Sequence, residues 1–437
     1  MLSIIIILSI ALAIFLGYRT KINTGLFCIV FAYIIGCFVM GLKPKQIIGF
    51  WPTSTMFVIL SVSLFYNFAA INGTLEKMCG ALLYACRNFP GLLPYALFAV
   101  AVILSVMGAT FFTVLAFLAP ITLVICDESR MDKLTGAVAI NCGALAGGNF
   151  PTSNLGVVFR GLSDTAYEAS PEIAAVDSFN MEMKIFAFAI FFSLILITIF
   201  RFGFKENRNI GKGVTFKKPE SFTKDQKTTL TLMMAMMAVV LIFPLLNILM
   251  PGNAAVKYIS GKVDVGLVAI IFTVIALLLK LAPQKEAIAK VPWNTIIMIA
   301  GAGMLIAVAV EAGTIEALST WIGSNVPKPL VPIAFCLVGA IMSFFSSTTG
   351  VVAPALFPLI PNLAASVGLS APVLFACTIL GAQSSAISPF SSGGSLILGS
   401  TPKEEERNEL FNRLLMVAVP ISVITCTIYN FVIAMVL

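Results

Sequence analysis

The segment Gly147-Gly148-Asn149-Phe150-Pro151-Thr152-Ser153-Asn154 interrupts an apolar stretch of this chain. A second interruption, Ser384-Ser385-Ala386-Ile387-Ser388-Pro389-Phe390-Ser391-Ser392-Gly393-Gly394, lies in the other half. Each has a helix-like apolar run on both sides. Proline removes an amide donor and breaks a helix, while glycine admits backbone angles closed to other residues. Non-helical backbone at membrane depth survives only inside protein or along a wet cavity. The two segments therefore predict broken helices that meet inside a membrane protein.

The composition supports this reading. The 437 residues are 59% hydrophobic and only 11% charged, with mean hydropathy +1.02. Soluble domains carry about 25% charged residues, so a cytosolic enzyme, a nucleic-acid-binding domain and a disordered protein are excluded. The net charge of +7 reflects basic loops. Histidine is absent, which removes His-based zinc sites, Ser-His-Asp triads and His proton relays. The nine cysteines form no CxxC pair and read as small core residues. The first apolar run, Leu2–Gly17, lacks a basic leader and a cleavage site and is expected to be a mature helix.

A membrane span needs about 20 apolar residues. Runs of about that size are Ile22–Leu42, Ile185–Phe200, Thr228–Met250, Val265–Leu279, Val291–Val310 and Leu414–Leu437, with one more starting near Pro52. Asn88 to Cys126 is uncharged over 39 residues (126 − 88 + 1). As one helix it would measure about 58 Å at 1.5 Å per residue, so it must turn back, with Met107-Gly108-Ala109-Thr110 as the bend. Pro329 to Pro402 is uncharged over 74 residues (402 − 329 + 1) and has a similar bend at Ser346-Ser347-Thr348-Thr349-Gly350.

These features recur at a fixed offset. Pro120 and Pro358, each expected to close a hairpin arm, are 238 apart (358 − 120), as are Pro151 and Pro389 (389 − 151). Ser105/Ser343, Thr110/Thr348, Gly143-Ala144/Gly381-Ala382, Ser153/Ser391, Gly156/Gly394 and Gly161/Gly399 share that offset. Upstream, Gly73-Thr74 with Glu76 matches Gly313-Thr314 with Glu316 at 240, and Trp51 matches Trp293 at 242. Single matches are weak, but the ordered series predicts an internal duplication.

Loop charge sets the orientation. Arg201–Lys227 holds eight Lys/Arg and three acids and is placed in the cytoplasm. Gly161–Glu182 holds five acids and no Lys or Arg and is placed outside. Lys280, Lys285, Lys290 and Lys403–Arg413 then fall inside, and both termini outside. The copies are thereby inverted. The expected fold is an all-α polytopic membrane protein with two inverted-topology repeats. The first covers 1–203: scaffold about 2–87, hairpin about 92–126, broken helix about 133–161, last span about 183–203. A basic cytoplasmic linker follows at 204–227. The second covers 228–437: scaffold about 228–325, hairpin about 329–365, broken helix about 371–400, last span about 412–437. Short amphipathic helices are expected at Thr74–Arg87 and Thr314–Asn325. Inverted repeats with discontinuous helices are characteristic of secondary transporters, whose site lies where the repeats meet.

The tips and breaks supply Thr110, Asn149, Thr152, Ser153, Asn154, Ser347, Thr348, Thr349, Ser388, Ser391 and Ser392 as candidate substrate contacts. Helix starts with free amides attract carboxylates. Carbonyl and hydroxyl oxygens suit Na⁺, which points to Gly108, Ala109, Gly148, Asn149, Ser346, Ser347 and Ser388. The alternative use of such serines and threonines is helix–helix glue. No Asp or Glu is placed inside a span: Glu76, Glu311, Glu316, Asp264 and Glu182 all fall near predicted ends. Proton-coupled carriers usually need such a group, so Na⁺ coupling is favoured. Arg160 is expected to reach outward to the membrane interface.

At these residues the chain resembles the ion-transporter superfamily, and more narrowly the divalent-anion/sodium symporters and the MatC-type dicarboxylate (malonate) carriers. The tips Gly108-Ala109-Thr110 and Ser346-Ser347-Thr348 lack the Asn of the symporters' Ser-Asn-Thr. The turns at 147–153 and 388–394 are closer to the MatC type. The resemblance implies a homodimer with a fixed scaffold and a transport domain, formed by the hairpins and broken helices, that moves as an elevator. It implies import of a small dicarboxylate coupled to Na⁺, with no covalent cofactor, membrane lipid as the surroundings and no nucleic-acid partner, in a membrane such as the bacterial inner membrane. Citrate, sulfate or arsenite carriage, Na⁺/H⁺ exchange and a passive anion channel are the alternatives. An intramembrane enzyme is disfavoured, since no HExxH, GxSxG or paired midplane Asp occurs.

Overall fold

The computed structural model describes residues 2–20, 22–85, 90–204, 207, 220–249, 253–260, 262–345, 348–401 and 403–436. Among them every regular element is helical. The first half contains α1 (Leu2–Thr20), α2 (Thr24–Tyr33, continued by the π-turn Ile34–Val39), α3 (Pro44–Gly49), α4 (Thr53–Ile71), α5 (Thr74–Ala85), α6 (Leu93–Val106), α7 (Phe111–Ser129), α8 (Lys133–Gly148), α9 (Asn154–Glu168) and α10 (Ser178–Gly203). The second half begins with α11 (Lys224–Leu249), α12 (Ala254–Ser260), α13 (Val265–Leu278), α14 (Gln284–Ala289), α15 (Trp293–Glu311) and α16 (Thr314–Asn325). It ends with α17 (Val331–Phe345), α18 (Ala353–Leu356), α19 (Ile360–Val367), α20 (Ala371–Ser384), α21 (Ser392–Gly399), α22 (Glu404–Arg413) and α23 (Val419–Val436).

The halves share a skeleton. Helices α4 and α15 are both 19 residues long and start 240 apart (293 − 53). Helices α8 and α20 start 238 apart (371 − 133), as do α9 and α21 (392 − 154). Contacts are exchanged between the halves: α2 packs on α15 while α13 packs on α4. Likewise α7 packs on α21, while the segment from the π-turn Thr348–Val352 through α19 packs on α9. Each element thus buries its apolar face against the counterpart of its own neighbour.

The hairpin arms approach the broken helices closely at paired small residues. A Cβ at Gly143 would overlap the Phe98 carbonyl of α6, and one at Gly381 the Cys336 carbonyl of α17. Phe98 and Cys336 are themselves 238 apart (336 − 98). One turn on, Gly147 lies against the Val102 carbonyl, whereas its counterpart Ser385 donates its hydroxyl to the Ala340 carbonyl at 2.7 Å. Direct backbone contact and an interhelical hydroxyl bond are two ways of joining helices in lipid.

Helix α6 has 14 residues. At about 21 Å it is shorter than the roughly 30 Å hydrocarbon core, and the chain turns back at 107–110. Gly108 takes φ +92° there. Among the described residues, five helices are long and apolar enough to cross a membrane by themselves.

Some expectations need correction. Pro120 does not close its arm: it lies inside α7, which runs on to Ser129. The second return arm is instead divided by Pro354, Pro358 and Pro361 into α18, the 3₁₀ turn Phe357–Leu359 and α19. Helix α9 extends to Glu168, past the expected end at 161. Of the linker 204–227, residues 205, 206 and 208–219 lie outside the described residues, as do Cys86 and Arg87 at the end of the first amphipathic helix.

Candidate functional site

The two breaks are built alike. Helix α8 stops at Gly148, and α9 restarts at Asn154. In that gap Ser153 turns its hydroxyl back into the carbonyls of Gly147, at 3.0 Å, Gly148 and Phe150. Helix α20 stops at Ser384 and α21 restarts at Ser392. There Ser391, the counterpart of Ser153, donates into the carbonyls of Ala386 and Ser388, the latter at 2.7 Å. Cβ atoms at Gly156 and Gly394 would overlap the Phe150 and Ser388 carbonyls. Only glycine lets the second half-helix start so near the turn.

One polar bond joins the breaks. Asn149 Nδ2 donates to Gln383 Oε1 at 3.0 Å, and Gln383 Nε2 donates back to Asn149 Oδ1 at 2.7 Å. Both side chains are buried. Gln383 escaped the sequence reading because it lies one residue before the polar run that begins at Ser384. Its counterpart at offset 238 is the apolar Leu145. A lone amide in an otherwise apolar helix is the signal that could have found it.

Both tips and both breaks open on one cavity of about 440 Å³. Of the candidate substrate residues, Thr110, Asn154, Thr348, Thr349 and Ser391 line it, joined by Asn67, Thr113, Ser343 and Gln383. Thr110 caps α7, accepting from Thr113 N at 3.2 Å. Thr348 and Ser343 share a hydroxyl hydrogen bond at 3.1 Å. Asn154 Nδ2 donates to Ser63 Oγ at 3.4 Å. Lys290 is the one charged residue among the described lining.

The remaining candidates are placed differently. Thr152 is buried with an unpartnered hydroxyl. Ser388 is buried and accepts from Phe390 N at 3.2 Å. Of the proposed Na⁺ ligands, Ala109 is buried at the first tip, and a Cβ at Gly108 would overlap the Tyr66 ring. Gly148 ends α8, and Asn149 is engaged with Gln383. Ser346 and Ser347 lie outside the described residues, as does the Ser392 side chain. No group of three or more His, Cys, Asp or Glu that could hold a metal occurs among the described residues.

A second cavity, of about 740 Å³, lies between α4, α9, α15 and the second return arm. It is lined by Asp164, Glu168, Asp264, Glu311 and Arg160. Here one reading is overturned. Arg160 does not run outward: its Nη1 donates to the Pro151 carbonyl at 3.1 Å, and its guanidinium lies 5.4 Å from the Phe179 ring centre. Glu182 lies near a helix end, as expected, in the second turn of α10, and is 0% exposed. The α10 face that packs on α9 carries it inward.

Neutral donors and acceptors thus converge from two broken helices and two hairpin tips. Residues 1–148 match the family model for the N-terminus of the dicarboxylate carrier protein MatC, and residues 255–435 match the citrate transporter model CitMHS. Among curated proteins none matches. Two solved structures share the fold. The Alcanivorax borkumensis YdaH transporter is 16% identical, covering 92% of this chain and 88% of its own, with TM-score 0.64. Neisseria gonorrhoeae MtrF, described with a class of antimetabolite efflux pumps, is 14% identical, covering 92% and 85%, with TM-score 0.62. The two family matches support a secondary transporter of the dicarboxylate and citrate carrier class.

Proposed function

We propose that the protein imports a small dicarboxylate, of the malonate or C4 class, together with Na⁺, and that the hairpins and broken helices move as an elevator against a scaffold held in a homodimer. The observation that carries the reading is the cavity of about 440 Å³, which falls within the usual size range of small-molecule sites. Its described lining holds hydroxyls and amides, one lysine and no carboxylate. Such a lining accepts an anion without like-charge repulsion. Na⁺ would complete the pocket from the oxygen-rich tips and turns, so that the anion binds well only after the cation.

Orientation follows from the loop charges. On that reading Lys290 would set this cavity toward the cytoplasm and the acid-lined cavity toward the outside. The conformation is then inward-open, and the two copies are inverted about the break region.

The decisive experiment is uptake of radiolabelled dicarboxylate into proteoliposomes. Uptake is expected to require an inward Na⁺ gradient, to saturate and to show counterflow. Equal uptake with choline replacing Na⁺ overturns the coupling; non-saturable flux without counterflow overturns the carrier. Thr348→Val and Ser391→Leu are expected to lower transport in folded protein. Lys290→Gln is expected to raise KM about fivefold with kcat unchanged, the size of about 1 kcal/mol for an exposed charge contact.

A further inference from the structure

Glu182 is a buried carboxylate that the transport site does not use. It is 0% exposed, and neither of its oxygens has a hydrogen-bond partner. No ion pair within 4.0 Å joins it to Arg160 of the neighbouring helix α9. The guanidinium is held elsewhere, by the Pro151 carbonyl and the Phe179 ring, and its Nε is left without a partner. Phe179 precedes Glu182 by three residues on α10, so ring and carboxyl lie on one helix face. Arg160 therefore lies against the α10 face that carries Glu182 while gripping the turn of the first break.

A buried carboxylate that no protein donor meets is strongly disfavoured, and groups of this kind take up a proton instead. The arrangement seen suits neutral Glu182 and a guanidinium free to bind Pro151. Ionised Glu182 would offer that guanidinium a stronger acceptor than a neutral carbonyl. We propose that Glu182 is a proton-binding site of the carrier, filled from the acid-lined outer cavity, whose charge decides whether Arg160 holds the Pro151 turn or releases it. Proton uptake converts the carboxylate to the acid, and no other bond changes. The release would loosen the first break, whose Asn149 joins the second break and whose Asn154 lines the cavity of about 440 Å³. An ionisable side chain inside a membrane protein commonly serves such a relay, with its partner close by.

On α10 itself the other charged residues are Lys184, which is exposed, and Arg201 in the last turn. On α9 the other charged residues are Asp164 and Glu168, both lining the outer cavity. Asp177 caps the start of α10 and binds its amides. Helix α8 carries one charge, Lys133, at its far end, bonded to Asp127 and Glu406, and also Cys142 in mid-helix. Helices α6, α20 and α23 carry none; their titratable groups are Tyr95, Cys377, Cys426 and Tyr429, with Tyr167 the remaining one on α9.

The inference does not depend on the cargo, and its first test needs none. Infrared difference spectra of the full-length protein in lipid, compared with Glu182→Gln, are expected to show a protonated-carboxyl band at neutral pH that the variant lacks. Gln has the shape of the neutral acid, so the variant should fold. In proteoliposomes the wild type is expected to lose transport at least tenfold as external pH rises, while Glu182→Gln stays at its acid-side rate throughout. Arg160→Gln, which cannot be recaptured by a carboxylate, should also lose the pH response. A spectrum unchanged by Glu182→Gln, or identical pH profiles for wild type and variant, overturns the proposal. Absence of dicarboxylate uptake with the band present would instead count against the assigned cargo alone.

Discussion

The two broken helices are the same device finished in two ways. Both return a serine hydroxyl, Ser153 or Ser391, into the carbonyls the break leaves open. Both restart against a glycine, Gly156 or Gly394, pressed on the turn. The first break then adds Asn149 and the Arg160 clasp on Pro151. The second adds Gln383 and Ser385, which ties α20 to α17. What is shared keeps backbone groups satisfied at membrane depth, which any such break must do. What differs joins the breaks to each other and to their surroundings. The duplicated part of the breaks reads as architecture, and the unduplicated part supplies the bond between them.

The largest effect that can test this division comes from the glycines. Gly156→Val and Gly394→Val would each drive a side chain into a turn carbonyl, which has no room to retreat. Overpacking costs about 1–3 kcal/mol where neighbours can shift, and fixed backbone allows less shift than a side chain. Both variants should fail to give a monodisperse folded protein by size-exclusion chromatography in detergent. If one tolerates valine and the other does not, the breaks are not equivalent architecture.

The amide pair should rank second. Gln383→Leu leaves the Asn149 amide buried and unpaired, a cost of about 1–3 kcal/mol, and Asn149→Leu does the same in reverse. The double variant removes both polar groups and is expected to be more stable than the sum of the singles predicts, since coupled neighbours are not additive. Thermal unfolding of the four proteins measures the coupling. Strict additivity would mean that the bond contributes nothing to holding the breaks together.

The shared skeleton was legible because its causes are local. Pro151, Pro389 and the flanking glycines announce a break wherever they occur, and an offset of 238 needs no three-dimensional information. The linking elements were illegible because they break that offset. Gln383 pairs with Asn149, yet their counterparts Leu145 and Ile387 are apolar. Pro120 was misread since a proline in an apolar run can end a helix or sit within it, and α7 takes the second course. Arg160 was expected to reach the interface and Glu182 to fall near a span end. The longer α9 and the inward face of α10 bring both into the protein.

The smallest expected effect is the sharpest test of equivalence. Ser153→Ala and Ser391→Ala each remove one hydroxyl that serves carbonyls of its own turn. The net loss for such a bond is about 1 kcal/mol, and the carbonyls left behind set the upper end. If the serines do only what the duplicated skeleton requires, both variants should lose stability alike, by about that amount in thermal unfolding. Transport should separate them, because Ser391 lines the cavity of about 440 Å³ and Ser153 does not. Ser391→Ala is expected to raise KM for the substrate, and Ser153→Ala to leave it unchanged. Equal changes in KM would show that the hydroxyls act through the turns alone, and the difference between the breaks would then rest on Asn149, Gln383 and Arg160.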